Sequence, residues 1–579
     1  MKAIFKLSSY LKPYKWFAIL APLLMFIEVS MDLLQPTIMQ NIIDVGIAND
    51  DRSYVIKYGI VMFIVAIIGL IGGLGSSVYA TKAAVNFATD IRRDLYLHIS
   101  KFSNDNMDKF TIGKLITIMT NDLSSIQHAL MMTLKVFVRG PIQFLGSVVI
   151  VWFTARELFP ILLVAIPIFI LAIYYFSTRS SSLFEKVQQA MDKINIKMQE
   201  TLSGIRLIKA YNQEQTVKDE FASINKNYTK RNLKAEQVIL TLQPILVFVA
   251  NMSIVVGMWI GAIRISENTM QIGVILAFIN YLNIVMNGLM LSSNVLIQIT
   301  KAVPSCGRVV NVLEEDSTTI NTKNTVETIK GKVEFNNVSF SYSKNGEYVL
   351  NNISFIAQPG EVIGIVGKTG SGKSTLAKLL TRLYECTEGK ILIDDQLIET
   401  IDLKTLRTSI AYVPQKALLF SGTIKSNLEF GKENATEDEL DIAVKNAAAK
   451  EFIEKLSDGL DYELTQQATN LSGGQKQRLS MARAFIRKAP IMIFDDSTSA
   501  VDTISEAIIQ KAIKENTDVS TVFIISSKIS SVKNCNQILV LDDGNLVAKG
   551  THEQLLARST IYQDMFEAQS KKEVLDFEA

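Results

Sequence analysis

Gly367-Lys368-Thr369-Gly370-Ser371-Gly372-Lys373-Ser374-Thr375 follows the apolar run Val362 to Val366 and opens a helix-like segment from Leu376 to Tyr384. The pattern G-x-x-x-x-G-K-[ST] between a strand and a helix is that of a P-loop. Its glycines let backbone N–H groups curl inward as an anion nest, and the helix N-terminus adds positive potential. Lys373 is placed to reach outer phosphates and the Ser374 hydroxyl to ligate Mg²⁺, so a nucleoside triphosphate is the expected ligand. An α/β domain is expected around the stretch, because strand-like runs such as Val333 to Phe335 and Ile391 to Ile393 alternate with helical segments.

The remainder of the chain is of another kind. Of 579 residues, 48% are hydrophobic, high for a soluble enzyme, and the formal net charge of +2 argues against a chain-wide nucleic-acid footprint. Cys306, Cys386 and Cys535 lie far apart with no CxxC spacing, which fits reduced thiols in a cytosolic setting. Six apolar stretches precede residue 301, at about 16–38, 55–80, 131–154, 158–177, 238–263 and 271–299. Each is near or above the roughly 20 residues a helix needs to span a bilayer.

Lys2, Lys6, Lys12 and Lys15 precede the first stretch with no acidic residue among them, which puts the N-terminus in the cytoplasm. Segments 81–130 and 178–237 are long and rich in Lys and Arg, whereas the turns near 44–54, 155–157 and 264–268 are short and carry few. An even number of spans returns the chain to the cytoplasm before the P-loop. Both long segments read as helical extensions, since apolar residues recur at helical spacing and structureless loops of that length are rare.

Polar residues inside the spans leave alternatives open. Glu28 and Asp32 are four apart on one helix face, where they either face a cavity and attract a cationic substrate or lie paired or near the outer interface. Asn280, Asn283 and Asn287, with Gln243 and Asn251, either line the same cavity or bond between helices. Lys135 and Arg139 fall early in a span entering from the cytoplasm and read as interface anchors, and Gly69 and Gly73 as close helix packing.

Further motifs join the P-loop in the second half. The strand Ile491 to Phe494 ends in Asp495, a Walker B carboxylate for Mg²⁺. Leu471-Ser472-Gly473-Gly474-Gln475 precedes a helix, Gln415 follows Tyr412-Val413-Pro414, Tyr342 precedes a turn, and Ser499-Ala500-Val501-Asp502 follows Walker B.

Taken together these residues resemble a half-size ABC exporter along nearly the whole chain, with LSGGQ downstream of a P-loop as the most specific element. The resemblance implies an all-α six-helix transmembrane domain (1–305) with long cytoplasmic helical extensions, a linker (306–330) and an α/β P-loop nucleotide-binding domain (331–579). It implies a multi-pass protein of the cell membrane, in contact with membrane lipid, with no nucleic-acid partner and with ATP and Mg²⁺ as cofactors. Tyr342 resembles the residue that stacks adenine, Gly367 and Thr369 to Thr375 the phosphate cradle, Gln415 the residue coupling Mg²⁺ to the membrane helices, and Asp502 part of the D-loop. Asn121-Asp122 and Gly204 to Tyr211 resemble the docking ends of the two extensions. In that family two nucleotide-binding domains pair head to tail, so Ser472, Gly473, Gly474 and Gln475 would serve a γ-phosphate bound by the partner chain.

Two positions depart from the pattern at one place. The residue after Asp495 is ordinarily the Glu that polarises water, and here it is Asp496; Ser527 stands where the switch His is expected after the strand Thr521 to Ile525. His552 belongs to a separate ending, Gly550-Thr551-His552-Glu553, and Gln466 and Gln467 depart from the usual Gly-Glu-Arg-Gly before LSGGQ. Withdrawing a carboxylate by one methylene moves it roughly 1.5 Å, and misplacement by about 1 Å can cost on the order of a hundredfold in rate. The expectation is ATP-driven export of hydrophobic or amphipathic small molecules by a heterodimer. Its slow ATP site is built on this chain's Walker motifs, and its second site is completed by this chain's LSGGQ. A homodimer with two sluggish sites, a lipid or lipid-linked flippase, and an ATP-gated channel or regulatory subunit are the competing readings.

Overall fold

The computed structural model describes residues 2–316, 328–343, 346–499, 501–515 and 520–578. They form two compact units, residues 1–100 with 112–315, and residues 101–111 with 316–579.

In the first unit, α1 (Lys15–Asn41) and α2 (Arg52–Ile99) lead towards α3 (Asn104–Phe110), which itself belongs to the second unit. There follow α4 (Leu123–Thr154), α5 (Phe159–Ser203), the single-turn α6 (Ile205–Ala210), α7 (Glu214–Ser266) and α8 (Ile272–Leu313). Six helical segments of 42 to 53 residues are long and apolar enough to cross a membrane. At 1.5 Å per residue such helices are about twice the thickness of the hydrocarbon core, so they continue well beyond it. The segments between spans two and three and between spans four and five are accordingly helical over most of their length. Met25, Val29, Phe169, Phe278 and Tyr281 are buried between the helices, while Phe63, Leu70 and Trp259 stand exposed on the outside. An apolar exterior suits lipid, and only helices or closed barrels satisfy their backbone there.

Helix α8 runs to Leu313, through residues 306–313 where the polar composition suggests a linker. Val309, Val310 and Val312 are buried and Arg308 is paired, which gives this end of the helix a packed face. Ser317, Thr318 and Thr319 of the expected linker lie outside the described residues.

The second unit carries β1 (Val333–Phe340), β2 (Leu350–Ala357), β3 (Val362–Gly367), α9 (Lys373–Leu380), β4 (Glu388–Ile393), β5 (Gln396–Leu397) and β6 (Ile410–Val413). A small ribbon of β7 (Gly422–Thr423) and β8 (Glu463–Leu464) precedes α10 (Gly473–Arg487). The chain then forms β9 (Ile491–Asp495), α11 (Thr503–Glu515), β10 (Thr521–Ile525), β11 (Gln537–Asp542), β12 (Asn545–Gly550), α12 (His552–Arg558) and α13 (Thr560–Glu578).

Strands β2, β1, β4 and β5 make an antiparallel sheet, and the second sheet has the order β12-β11-β3-β10-β9-β6. Within the latter, β11, β3, β10, β9 and β6 are parallel neighbours and β12 is antiparallel. Val366, Phe494, Ile524 and Val540 enter one apolar core, and Ile365, Ile493, Phe523 and Leu539 enter the other. The alternation is that of strands covered on both faces. Ile525 of β10 is in register with Asp495 of β9 and with Ile365 of β3. The carboxyl ends of three adjacent parallel strands therefore open on one edge, where ligands of such sheets bind.

Candidate functional site

The strand order decides which loops meet. The loop after β3 is the glycine-rich stretch, the loop after β9 carries Asp496, and between them β10 delivers Ser526 and Ser527. A cavity of about 330 Å³ opens there, lined by Thr369, Gly370, Gly372, Lys373, Ser374, Thr375, Gln415, Asp495, Asp496 and Ser527, with Val349 and Ile525.

Each side chain has a local reason for its place. Gly370 and Gly372 take φ of +89° and +93°, a left-handed backbone that suits glycine. A Cβ on Gly372 would fall 2.6 Å from Leu350 Cδ2, and one on Gly367 would fall 2.2 Å from the Leu541 carbonyl oxygen. Lys373 is buried and donates to the carbonyls of Gly367 and Lys368 at 2.7 and 2.8 Å. Burial pushes its pKa down, and the Asp496 and Asp495 carboxylates oppose that shift. Ser374 Oγ donates to Asp495 Oδ1 at 2.8 Å, and the Tyr412 hydroxyl donates to Asp495 Oδ2 at 3.3 Å. Burial raises the Asp495 pKa against these two hydrogen bonds. Gln415 Nε2 donates to Asp496 Oδ2 at 3.3 Å. Asp496 itself sits at φ +45°, unusual for a residue with a side chain, and its N–H bonds the Ile525 carbonyl at 2.8 Å.

The residues present fit a nucleotide triphosphate. Ser371 Oγ is buried without a hydrogen-bond partner, Gly370 has open space beside its Cα, and a buried ammonium faces the same cavity. Phosphate oxygens would fit the open space at Gly370 and accept the remaining donor of the Lys373 ammonium, while Ser371, on the same loop, is not among the cavity's lining residues. Ser374, Asp495 and Gln415 are the oxygen donors that would hold Mg²⁺. When bound, that ion neutralises phosphate charge. The Tyr342 hydroxyl shares a hydrogen bond of 3.1 Å with Thr375 Oγ1, and its half-exposed ring stands edge-on to Phe340 and Tyr384.

Residues 18–289 match the family described as ABC transporter transmembrane region, and residues 350–499 match ABC transporter. The uncharacterized ABC transporter ATP-binding protein YfiB of Bacillus subtilis is 38% identical over 98% of this chain and 99% of its own length. The chain belongs to the ABC transporter family. A second Bacillus subtilis relative, the uncharacterized ABC transporter ATP-binding protein YknU, is 30% identical over 98% of both chains. The structure of a bacterial Atm1-family ABC exporter with ATP bound superposes with a TM-score of 0.77 at 24% identity, covering 96% of this chain and 98% of that one. The chain is thus a half-size ABC exporter, a multi-pass cell-membrane protein whose nucleotide-binding domain is cytoplasmic.

In this exporter, the other motif residues lie away from the cavity. Ser472 caps α10, accepting from the Gln475 N–H, while Gln475 Oε1 accepts from the Ser472 N–H at 2.8 Å. Ser472 and Gly473 are exposed, Gly474 and Gln475 are half-buried, and none of the four lines the cavity of their own chain. Asp502 Oδ1 accepts from the Ser505 N–H at 2.9 Å at the start of α11; Ala500 lies outside the described residues. Gln467 has φ +57°, and its carbonyl accepts from Lys476 Nζ at 3.0 Å.

Asp122 is not a docking end. It is buried, accepting from Arg308 Nε at 2.7 Å and from Ser305 Oγ at 2.9 Å. The guanidinium is the principal reason its pKa is lowered, and it makes burial of the carboxylate tolerable. The segment that joins the nucleotide unit is instead α3, whose Asp108 Oδ2 accepts from the Tyr384 hydroxyl at 2.7 Å. Within Gly204 to Tyr211, α6 is a short break between long helices, with Leu207 and Tyr211 exposed.

Arg139 is no interface anchor: its Nη1 donates to Glu28 Oε1 at 3.0 Å and its Nη2 to Asp32 Oδ2 at 3.3 Å. The spacing of Glu28 and Asp32 on one face is what lets a single guanidinium reach both. Gly73 is needed beside them, since a Cβ there would meet the Glu28 carboxyl carbon at 2.9 Å. Asn280 and Asn283 donate to carbonyls of their own helix, at Leu276 and Ile279, and Asn280 and Asn287 are exposed one above the other on α8.

Proposed function

We propose that this half-exporter pairs with a different half-transporter, and that its own Walker site binds ATP but hydrolyses it slowly. The observation that carries this reading is that Asp496 and Ser527, the two departures, line one cavity with Lys373, Ser374 and Asp495. Binding groups are kept: Lys373 and the glycine-rich backbone for phosphates, Ser374, Asp495 and Gln415 for Mg²⁺, and Tyr342 for adenine. The two groups that would activate water and hold the γ-phosphate are shortened. A carboxylate drawn back by roughly 1.5 Å orients water poorly, and a hydroxyl cannot reach as an imidazole does.

Ser472 and Gly473 stay exposed, and Ser472 and Gln475 cap each other, ready for a nucleotide bound by the partner, so the pair's turnover falls at that second site. Alternating access then follows from closure and release of the two nucleotide-binding domains. The cargo we assign is hydrophobic or amphipathic and cationic, because two acidic side chains, Glu28 and Asp32, share a single guanidinium among the spans.

Turnover of the purified chain alone is the test. A rate well below that of a complete exporter is expected, rising when Asp496→Glu and Ser527→His are introduced together. Full turnover by the unmodified chain would sink the heterodimer.

A further inference from the structure

The segment bearing Ser527 is held by an element that no nucleotide motif includes. Gln569 on α13 uses both ends of its amide: Oε1 accepts from the Ile529 N–H at 2.8 Å, and Nε2 donates to the Ser527 carbonyl at 2.9 Å. One side chain thus spans Ser527, Lys528 and Ile529, and only one orientation of the amide satisfies both bonds.

The helix that presents Gln569 is anchored in the core. Tyr562 is fully buried, Met565 and Phe566 pack against the same cluster, and His552 Nδ1 shares a 2.7 Å hydrogen bond with the Tyr562 hydroxyl. The His552 ring also stands edge-on to Phe566. Positions 562, 566 and 569 recur at i, i+4 and i+7, so the face that carries the anchor also carries Gln569. The only histidine of the nucleotide-binding half therefore supports the switch segment from behind rather than entering the cavity.

The other flank is held as well. Ser531 Oγ donates to Glu506 Oε1 at 2.7 Å and the Ser531 carbonyl accepts from Gln510 Nε2 at 3.1 Å, both on α11, the helix that Asp502 caps. Upstream, the Ser526 N–H bonds the Ile365 carbonyl at 3.0 Å, which ties the segment to β3.

We infer that Gln569 is a positioning residue for this ATP site: by fixing the backbone of Ser527 to Ile529, the C-terminal helix sets how long the site retains nucleotide. The inference rests on the proposed reading of the cavity as an ATP site, but not on its rate of hydrolysis. Holding a loop through its backbone leaves residue 527 free to change while the loop stays in place, which suits a site that keeps binding after losing its histidine.

The full-length chain in lipid nanodiscs decides this with two measurements, amide exchange over residues 526–532 and release of radiolabelled ATP chased in the presence of Mg²⁺. Gln569→Leu removes both bonds, and loss of one net hydrogen bond corresponds to a factor of about ten at most. Exchange at Ile529 should rise about tenfold and ATP release should quicken roughly three- to tenfold, while amides of β9 stay unchanged. Gln569→Glu keeps the acceptor for Ile529 but cannot donate to Ser527, so protection at Ile529 should persist and release should quicken only in part. Should the leucine variant not fold, the release arm of the glutamate variant decides instead, and release no faster than wild type overturns the role in retention. Unchanged exchange at Ile529 in Gln569→Leu overturns the clamp, and raised exchange with unchanged ATP release overturns its role in retention. The exchange arm needs no nucleotide and decides the clamp even if the cavity's reading as an ATP site fails. That reading is checked separately by labelling of wild-type chain with ATP.

Discussion

The Tyr384 hydroxyl donates to Asp108 Oδ2 at 2.7 Å, and the Tyr384 ring lies edge-on to Tyr342 with centroids 5.2 Å apart. Asp108 belongs to α3, in the same compact unit as Tyr384, so a short path through two tyrosine rings joins α3 to the proposed adenine platform. Lys378 Nζ stands over both rings.

Tyr384→Phe keeps the ring and removes the bond, at a cost of roughly 1.5–3 kcal/mol for a hydrogen bond to a charged acceptor. Transport per ATP hydrolysed should fall while ATP affinity stays near its original value, as read by vesicle uptake alongside an ATPase assay. Burial first and the Asp108 carboxylate second hold the phenol's pKa above its ordinary value. The bond's stabilisation is therefore fully present below about pH 10 and is lost only as pH rises through the elevated pKa.

Asp122→Asn should loosen the cytoplasmic end of α8 from the segment after α3. The Arg308 guanidinium lowers the Asp122 pKa, so the pairing is complete above the ordinary carboxylate range near pH 4 and is lost as pH falls below it. The expected loss is roughly 1.5–3 kcal/mol, seen as faster proteolysis between residues 112 and 130 at neutral pH and no difference from wild type under strongly acidic conditions.

Gly370→Ala and Gly372→Ala separate strain from space. Both sites have positive φ, but only Gly372 has Leu350 and the Val349 carbonyl within 3 Å of a new Cβ. Thermal unfolding should show a cost of about 1 kcal/mol at Gly370 and about 3 kcal/mol at Gly372. Equal losses would mean that the loop adjusts freely around position 372.

Arg139→Ala leaves the half-buried Glu28 and Asp32 side by side without their cation, at a cost below the roughly 3–5 kcal/mol of breaking a fully buried pair. Poor recovery of folded protein is expected, and adding Glu28→Gln and Asp32→Asn should restore it. The triple variant should also export a lipophilic cation less well than a neutral compound of similar size; equal export of both would remove these residues from cargo selection.

Local spacing was enough to place the P-loop, Walker B, LSGGQ and the six spans, because each is written in consecutive residues or in an apolar run of fixed length. Ser527 was read by resemblance as standing where a switch His is expected, and strand β10 does deliver it to the cavity. The Tyr412 contact with Asp495, the Gln569 clamp and the Asp108 pairing join residues tens to hundreds of positions apart and leave no periodic trace. Asp122 was placed at a docking end by resemblance alone, and nothing local shows that Arg308, 186 residues later, covers it. Arg139 likewise reads as an anchor until strand-free packing brings α1 beside α4.

Strand β10 lies between β3 and β9, and its exit is fixed by backbone bonds to Ile365 and Gln569 while the Ser527 side chain is exposed. Folding is consequently indifferent to what occupies position 527. A change of side chain at 527 needs no compensating change in the core, so the proposed asymmetry between two paired halves would meet almost no structural barrier.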